Sequence, residues 1–179
     1  MEPVARSAAT DSPEPVAVIG DRGDPDYTLR VLRQRLRQGG IRQATLTSRE
    51  TINGLHRHGW ILEMATGEAC FLVEEAFASG YGGQGAEALA QAVRGLARQR
   101  VRLGWQAGFP DWAVLAGGTA ALRQWAAGAS PLWVRRHERC EAYSVTFDPG
   151  ANLLTIADPP SIRRRLTGDP RQLALFDES

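Results

Sequence analysis

Two pairs of short apolar runs, each pair joined by a polar turn, constrain the fold of this chain more than any other feature of its sequence. Residues 60–73 are apolar on both sides of a loop at 65–68 that contains a glycine. Residues 143–156 repeat the arrangement around the Asp-Pro-Gly turn at 148–150. Short apolar runs separated by such turns are typical of β-hairpins. The sequence therefore predicts two antiparallel hairpins.

Helical periodicity occupies much of the remaining chain. Leu29, Leu32 and Leu36 follow a helical spacing, and Asp24 with Pro25 before them is typical of a helix start. The same criteria predict helices at 26–38, 86–100 and 119–127, and a short buried strand at 16–19. Strands and helices do not alternate regularly. We therefore expect an α+β domain with two antiparallel hairpins and three to four helices.

Three other segments give weaker signals. Apolar and polar residues alternate weakly over 41–47, which predicts a strand. Ser48 is expected to cap a short helix after it. Residues 101–104 are at most a weak strand. Residues 104–134 contain four tryptophans among alanine and glycine, which we interpret as a packed helical layer.

The chain is expected to form one folded domain with two flexible tails. Residues 1–14 are rich in alanine, serine, proline and acidic residues, which predicts a disordered leader. Residues 15–162 form the predicted globular domain. Residues 163–179 are predicted to be a flexible basic linker followed by an apolar tail.

The composition limits the class of protein without identifying it. All 21 basic residues are arginine and the formal net charge is +1, so no strong overall field attracts the chain to polyanions or membranes. Cys70 and Cys140 fit neither a metal-binding spacing nor a disulfide framework, and we expect reduced, buried thiols. The sequence shows neither a signal peptide nor a membrane-spanning run. We expect a cytoplasmic bacterial protein without a membrane partner.

A glycine-rich segment precedes the second predicted helix. Gly80, Gly82, Gly83 and Gly85 form a G-x-G-x-x-G pattern after a strand and before a helix, where backbone amides hold phosphate in nucleotide-binding proteins. No acidic residue follows at the distance that a ribose contact needs. The alternatives are a glycine turn that lets strand and helix pack closely, and contact with a nucleic-acid backbone.

The remaining polar residues do not form a catalytic centre in the sequence. Four glutamates lie on or beside the first hairpin and could join Asp21 or Asp24 in a nuclease cluster, but we expect surface carboxylates instead. They are Glu63, Glu68, Glu74 and Glu75. His56 and His58 are two residues apart and share one side only on a strand. The sequence therefore predicts no catalytic residue, no metal site and no cofactor.

Two basic stretches stand out in the nearly neutral chain. They consist of Arg30, Arg33 and Arg37 on the first predicted helix, and of Arg163, Arg164 and Arg165 before the C-terminal tail, and a third positive patch lies at 135–139. Local positive patches in a neutral chain favour transient contact with a nucleic-acid backbone. The alternative is a solvated helix face and a solvated linker.

The end of the chain carries a short apolar motif. Gln172, Leu173, Leu175 and Phe176 belong to the string Gln-Leu-Ala-Leu-Phe, which Asp-Glu-Ser follows at the C-terminus. This string resembles the Gln-Leu-x-Leu-Phe peptide with which bacterial proteins bind the β sliding clamp of the replisome. The resemblance implies that Gln172 makes polar contacts on the clamp and that the leucines and Phe176 fill apolar pockets. The alternative is a terminal strand or turn that packs on the domain's own core.

Three functional hypotheses follow. The leading one is a non-enzymatic accessory protein of DNA replication, repair or mobile-element maintenance, tethered to the β sliding clamp and possibly touching DNA. The second is a small nucleotide- or nucleic-acid-processing enzyme that uses the glycine-rich loop at 80–85. The third is a small regulatory or antitoxin-like domain whose tail packs internally.

Overall fold

The computed structural model describes residues 13–51, 54–80, 83–137 and 144–157. Helices and strands form most of this part of the chain, and the predicted α+β class is confirmed. In chain order the elements are β1 (Ala17–Ile19), α1 (Pro25–Gln38), β2 (Ile41–Glu50), β3 (His56–Met64), β4 (Ala69–Ser79), α2 (Gln84–Arg98), β5 (Arg102–Ala107), α3 (Trp112–Ala116), α4 (Gly118–Ala126), β6 (Ser130–Pro131), β7 (Trp133–His137), β8 (Ser144–Asp148) and β9 (Leu153–Ala157).

The larger sheet is mixed. Within the described residues it has six strands in the order β1-β4-β3-β2-β5-β6. Neighbours β2, β3 and β4 are antiparallel, whereas β1 runs parallel to β4 and β2 runs parallel to β5. The hairpin predicted at 60–73 is confirmed as β3–β4, and it lies inside this sheet.

Two crossover connections place α1 and α2 on the same face of the sheet. α1 connects β1 to β2 and α2 connects β4 to β5, each time between parallel strands with two strands between them. Such crossovers are almost always right-handed, and both proceed in the same direction across the sheet, so both helices cover one face. A hydrogen bond of 2.7 Å from Gln99 Nε2 to the Leu36 carbonyl joins their C-terminal ends.

The first helix begins and ends where the sequence indicates. The Asp24 carboxylate accepts a hydrogen bond of 2.8 Å from the Tyr27 amide, and Pro25 occupies the first turn. Gly39 follows the helix with a φ of 74°, and its amide donates to the Arg35 carbonyl at 3.2 Å. These contacts satisfy amide and carbonyl groups that a helix end leaves without intrahelical partners.

The main core lies between this helix layer and the sheet. Leu32, Leu89 and Leu96 of the helices are fully buried in one cluster with Leu46 and Leu62 of the sheet. The second sheet, in the order β7-β9-β8, adds apolar side chains to the same cluster. Its β8–β9 hairpin confirms the one predicted at 143–156. Full burial of one such side chain contributes about 1.5–3 kcal/mol, so this core is the principal source of stability.

The opposite face of the six-stranded sheet is covered less completely. The short helices α3 and α4, of five and nine residues, lie on this side. The smaller core there contains Ile61, Phe71, Leu115 and Leu122. Part of the face between β1 and α3 remains open to solvent.

Two expectations about individual elements are wrong. Ser48 does not cap a helix, because β2 continues to Glu50 and pairs with β3 along this stretch. β5 is an interior strand between β2 and β6, although residues 101–104 give only a weak signal. The helices predicted at 86–100 and 119–127 are confirmed as α2 and α4. None of the helices in the described ranges is long and apolar enough to cross a membrane.

Candidate interaction surfaces

An open groove lies on the less covered face, between the edge strand β1 and the helix α3. Its volume is about 330 Å³, within the range of binding clefts. We call it the β1–α3 groove. Its apolar lining includes Val18, Phe71, Val73, Phe109, Trp112 and Leu115.

Two apolar side chains are open to solvent at this groove. Trp112 is 74% exposed and Val18 is 47% exposed, whereas Phe71 in the same lining is buried. The Asp111 carboxylate caps α3 by accepting a hydrogen bond of 2.9 Å from the Val114 amide, so Trp112 stands in the first turn of the helix. Tryptophan is enriched among the residues that dominate affinity in protein interfaces. The groove therefore has the character of a protein-binding surface.

Arginines border the groove. The Arg22 guanidinium forms a salt bridge of 2.8 Å with Glu74. Arg49 lies over the Phe109 ring, with 4.9 Å between Cζ and the ring centroid, which is a cation–π geometry. Guanidinium groups bind carboxylates in a fork. Glu74 and Asp111 belong to the same lining, so Arg49 is the cation at this border that suits an acidic residue of a partner segment.

The edge of β1 adjoins the groove. β1 has three residues, and among the described strands only β4 pairs with it. The Val16 amide, directly before β1, donates a hydrogen bond of 2.9 Å to the Leu115 carbonyl of α3, so the open part of the edge is confined to residues 17–19. Amide and carbonyl groups at an open edge accept a further strand. Val18 belongs to both the strand and the groove lining, so one extended segment has access to backbone pairing and to side-chain burial at the same place.

The predicted arginine stripe is assembled on α1. Arg30, Arg33 and Arg37 lie on the exposed side of this helix. Arg33 also forms a hydrogen bond with Gln91 of α2, so the stripe borders the seam between the two long helices. Binding of nucleic acid by these arginines stays a prediction.

The glycine-rich segment is partly used for internal contacts. The Gly80 amide donates a hydrogen bond of 2.8 Å to the Val145 carbonyl, so it is not available to a phosphate. Gly83 precedes α2 with a φ of 147°, and Gly85 is buried in the first turn of that helix. Gly82 lies outside the described residues. Phosphate binding by the remaining amides stays a prediction.

The acidic residues considered for a nuclease cluster are held in separate ion pairs. Glu63 is buried, and its carboxylate lies 3.4 Å from Arg42 and 3.3 Å from Arg123. Glu75 pairs with Arg57 at 2.8 Å. Among the residues with described positions, no three His, Cys, Asp or Glu side chains form a group that could hold a metal ion.

Two histidines form a buried cluster where the two sheets meet. His56 and His58 lie on one side of β3, with ring centroids 6.1 Å apart. Both meet the Phe147 ring of β8 edge-on, at 5.4 and 5.6 Å. His58 Nε2 and Ser79 Oγ share a hydrogen bond of 2.8 Å. Burial, reinforced by the neighbouring His56, lowers the pKa of His58 from 6.5 to about 3, so this imidazole is neutral at neutral pH.

The two cysteines are predicted to be structural thiols, and the structure describes one of them. Cys70 is free and buried in β4, and burial raises the pKa of its thiol from 9.0 to about 11. Because the thiolate is the reactive form, this thiol is inert at neutral pH. Cys140 lies outside the described residues.

Several predicted functional residues belong to the part of the chain that the structure does not describe. They are Arg163, Arg164, Arg165, Gln172, Leu173, Leu175 and Phe176. The same holds for residues 1–12 of the predicted leader. The resemblance of the tail to a clamp-binding peptide therefore rests on sequence alone.

Comparison with known proteins gives a likeness in fold. No family model matches the chain, and no curated protein matches it. A chain in the solved structure titled "Respiratory complex I from Thermus thermophilus" matches with a TM-score of 0.51 and 20% sequence identity. The match covers 77% of this protein and 100% of that chain. At this identity the match shows a shared fold.

This likeness overturns the leading hypothesis about function. The expected role in DNA replication, repair or mobile-element maintenance is wrong, and so is the expectation of the β sliding clamp as a partner. The reason is that 77% of the chain shares the fold of a chain from a respiratory assembly, whereas the clamp hypothesis depends on five residues. The alternative of a nucleotide- or nucleic-acid-processing enzyme finds no support in the same comparison.

Proposed function

We propose that this protein is an accessory subunit that packs against a larger protein assembly of the respiratory type, with the β1–α3 groove as its contact surface. The observation that carries the proposal is the exposure of Trp112 and Val18, 74% and 47%, beside an apolar cleft. Each large apolar side chain loses about 1.5–3 kcal/mol by staying in water. A partner that covers the groove recovers this free energy.

The fold likeness supports the same class of protein. The structure that resembles this chain is titled as respiratory complex I, and the match spans the whole of the matched chain. Because a fold hosts many functions, the likeness supports the proposed class only through the fold, and the surface has to support the contact. The groove meets this requirement with an open strand edge, an apolar lining and the arginines at its border.

A second exposed tryptophan offers an internal control. Trp133 on β7 is 65% exposed, close to the value for Trp112, but it belongs to the second sheet and is not part of the groove lining. Replacement of either tryptophan by alanine removes a similar exposed aromatic surface. Only the replacement at Trp112 changes the groove.

Native gel electrophoresis of solubilised host membranes tests the proposal. Tagged wild type, Trp112→Ala and Trp133→Ala are expressed in the host, and their migration is compared with that of its respiratory complex I. We expect wild type and Trp133→Ala to comigrate with the complex. Truncation of a central interface tryptophan costs about 2 kcal/mol or more, so Trp112→Ala should reduce comigration at least about tenfold. Wild type that runs only as the free protein, or equal comigration of all three, contradicts the proposal.

A further inference from the structure

We propose that the β1–α3 groove is occupied, in the protein without its partner, by the chain's own C-terminal segment, residues 172–179. The inference rests on the proposed function in one respect, because it takes the partner surface and the tail site to be the same groove. The tail covers the groove until the partner displaces it.

The tail combines apolar and acidic residues, which suit the lining of the groove. Leu173, Leu175 and Phe176 are apolar, and Asp177 and Glu178 follow them directly. The groove presents an apolar lining with guanidinium groups at its border. The lining also holds Glu74, which pairs with Arg22, and Asp111, which caps α3, so the acidic end of such a segment would meet Arg49.

Arg49 is the cation that suits the acidic end of the tail. Glu74 already neutralises Arg22 through a salt bridge of 2.8 Å. Arg49 is held by the face of the Phe109 ring, and among the described residues no carboxylate forms a salt bridge with it. A guanidinium that stacks on a ring keeps the N–H groups at its edge available to a carboxylate.

The open edge of β1 fits an extended tail. Side chains at alternate positions of a strand point to the same side, so Leu173 and Leu175 would share one side of a strand added to β1. Addition of a strand supplies affinity through the backbone, and pockets for alternate side chains supply specificity. The exposed Val18 lies on this edge, next to the pocket that Leu173 and Leu175 would fill.

The tether reaches the groove. β9 ends at Ala157, and residues 158–172 separate it from Leu173, which is fifteen residues. Fifteen residues span up to about 50 Å, whereas a domain of about 145 residues has a radius of gyration of about 15 Å. A tether of this length holds the tail at an effective concentration on the order of 1 mM, so a contact with a Kd of only about 0.1 mM is about nine-tenths occupied.

The seam between α1 and α2 is a less suitable site for the tail. Its cavity has a volume of about 200 Å³, smaller than that of the β1–α3 groove. The hydrogen bond between Arg33 and Gln91 closes part of it. It also has no open strand edge, because helices form both of its walls.

Hydrogen–deuterium exchange of the full-length protein tests the inference. Exchange of the amides at 172–176 is compared with that of a synthetic peptide of residues 168–179. We expect the amides to exchange about tenfold more slowly in wild type than in the peptide, at any protein concentration. The slowing should disappear in Trp112→Ala and persist in Trp133→Ala. In Arg49→Glu, a surface change that leaves the groove lining apolar, we expect it to weaken about threefold.

Three results would overturn the inference. They are exchange as fast as in the free peptide, protection that survives both Trp112→Ala and Arg49→Glu, and protection that increases with protein concentration, which indicates a second copy. The native gel separates the two proposals. An unprotected tail together with comigration that needs Trp112 rejects tail docking alone, and a protected tail together with comigration that does not need Trp112 rejects the proposed function alone.

Discussion

The two faces of the six-stranded sheet differ in how fully they are covered. On one face α1, α2 and the second sheet enclose a large aliphatic core in which Leu32, Leu89 and Leu96 are fully buried. On the other face α3 and α4 enclose a small core and leave Val18 and Trp112 exposed. Apolar surface that stays open beside a well-packed core is typical of an interaction site. The open face is therefore where function is expected.

Helix length explains the difference. α1 and α2 have 14 and 15 residues, which at about 1.5 Å per residue gives about 21–23 Å, and they pack side by side on their face of the sheet. α3 has five residues and spans only about 8 Å. The short helices thus cannot close the open face.

The largest predicted change in stability comes from protonation of His58, which is buried where the two sheets meet. Burial lowers the pKa of His58 to about 3 in the folded protein, whereas the unfolded chain takes up a proton near pH 6.5. Because the folded pKa is the lower one, stability falls as the pH decreases from about 6.5 towards 3, by roughly 5 kcal/mol in total. Urea unfolding between pH 7 and pH 4 should show about 3 kcal/mol of this loss.

The contribution of His58 is isolated by a variant that takes up no proton there. In His58→Phe the free energy of unfolding should depend less on pH between 7 and 4 than in wild type. His137→Gln, a change at an exposed histidine on β7, should leave this pH dependence as in wild type. Equal slopes in wild type and His58→Phe would show that this imidazole does not couple the fold to pH.

The next prediction concerns the loss of stability when one leucine is truncated in each of the two cores. Leu32→Ala in the fully buried core should lower the free energy of unfolding by about 3–5 kcal/mol, because a cavity remains after the side chain is removed. Leu115→Ala beside the open groove should cost about 2 kcal/mol or less, because this residue borders solvent. Denaturant unfolding of both variants tests the difference, and equal losses would mean that the two faces are packed alike.

A smaller effect concerns the ion pairs of Glu63. Its carboxylate is buried between Arg42 of β2 and Arg123 of α4, so Glu63→Gln should destabilise the protein by about 1–2 kcal/mol. Glu75→Gln is the control, because the pair of Glu75 with Arg57 is about 40% exposed on both sides, and its loss should cost below about 0.5 kcal/mol. A similar melting temperature for the two variants would contradict this assignment.

The smallest effect on stability is expected at the exposed tryptophans. Trp112→Ala and Trp133→Ala should each change the free energy of unfolding by no more than about 0.5 kcal/mol. Thermal unfolding measures both. A large decrease in the free energy of unfolding in Trp112→Ala alone would indicate that Trp112 supports the fold. It would contradict the assignment of the groove as a binding surface.

Local signals in the sequence predicted the elements better than their arrangement. The two hairpins and α1 could be predicted because turns, caps and periodicity act within a few residues, as with Asp24 and Gly39. The pairing of β1 with β4 could not, because the partners of Ala17 and Ile19 are Cys70 and Leu72, far along the chain. Parallel pairs of this kind leave no turn between them to identify.

The β1–α3 groove is the feature of the structure that the sequence predicts least well. Val18, Phe109 and Trp112 come from separate elements, so no motif connects them. The four tryptophans were interpreted as one packed layer, yet Trp112 and Trp133 are exposed. Asp111 directly before Trp112 is a typical helix N-cap, and it could have placed this tryptophan in a first turn.

Site-specific photo-crosslinking in the host identifies what contacts the β1–α3 groove. A photoreactive amino acid replaces Trp112 in one variant and Trp133 in another, and the adducts are identified by mass spectrometry. We expect an adduct with a subunit of the respiratory assembly from position 112 and none from position 133. The same adducts from both positions, or none from position 112, would contradict the assignment of the open face as the contact surface.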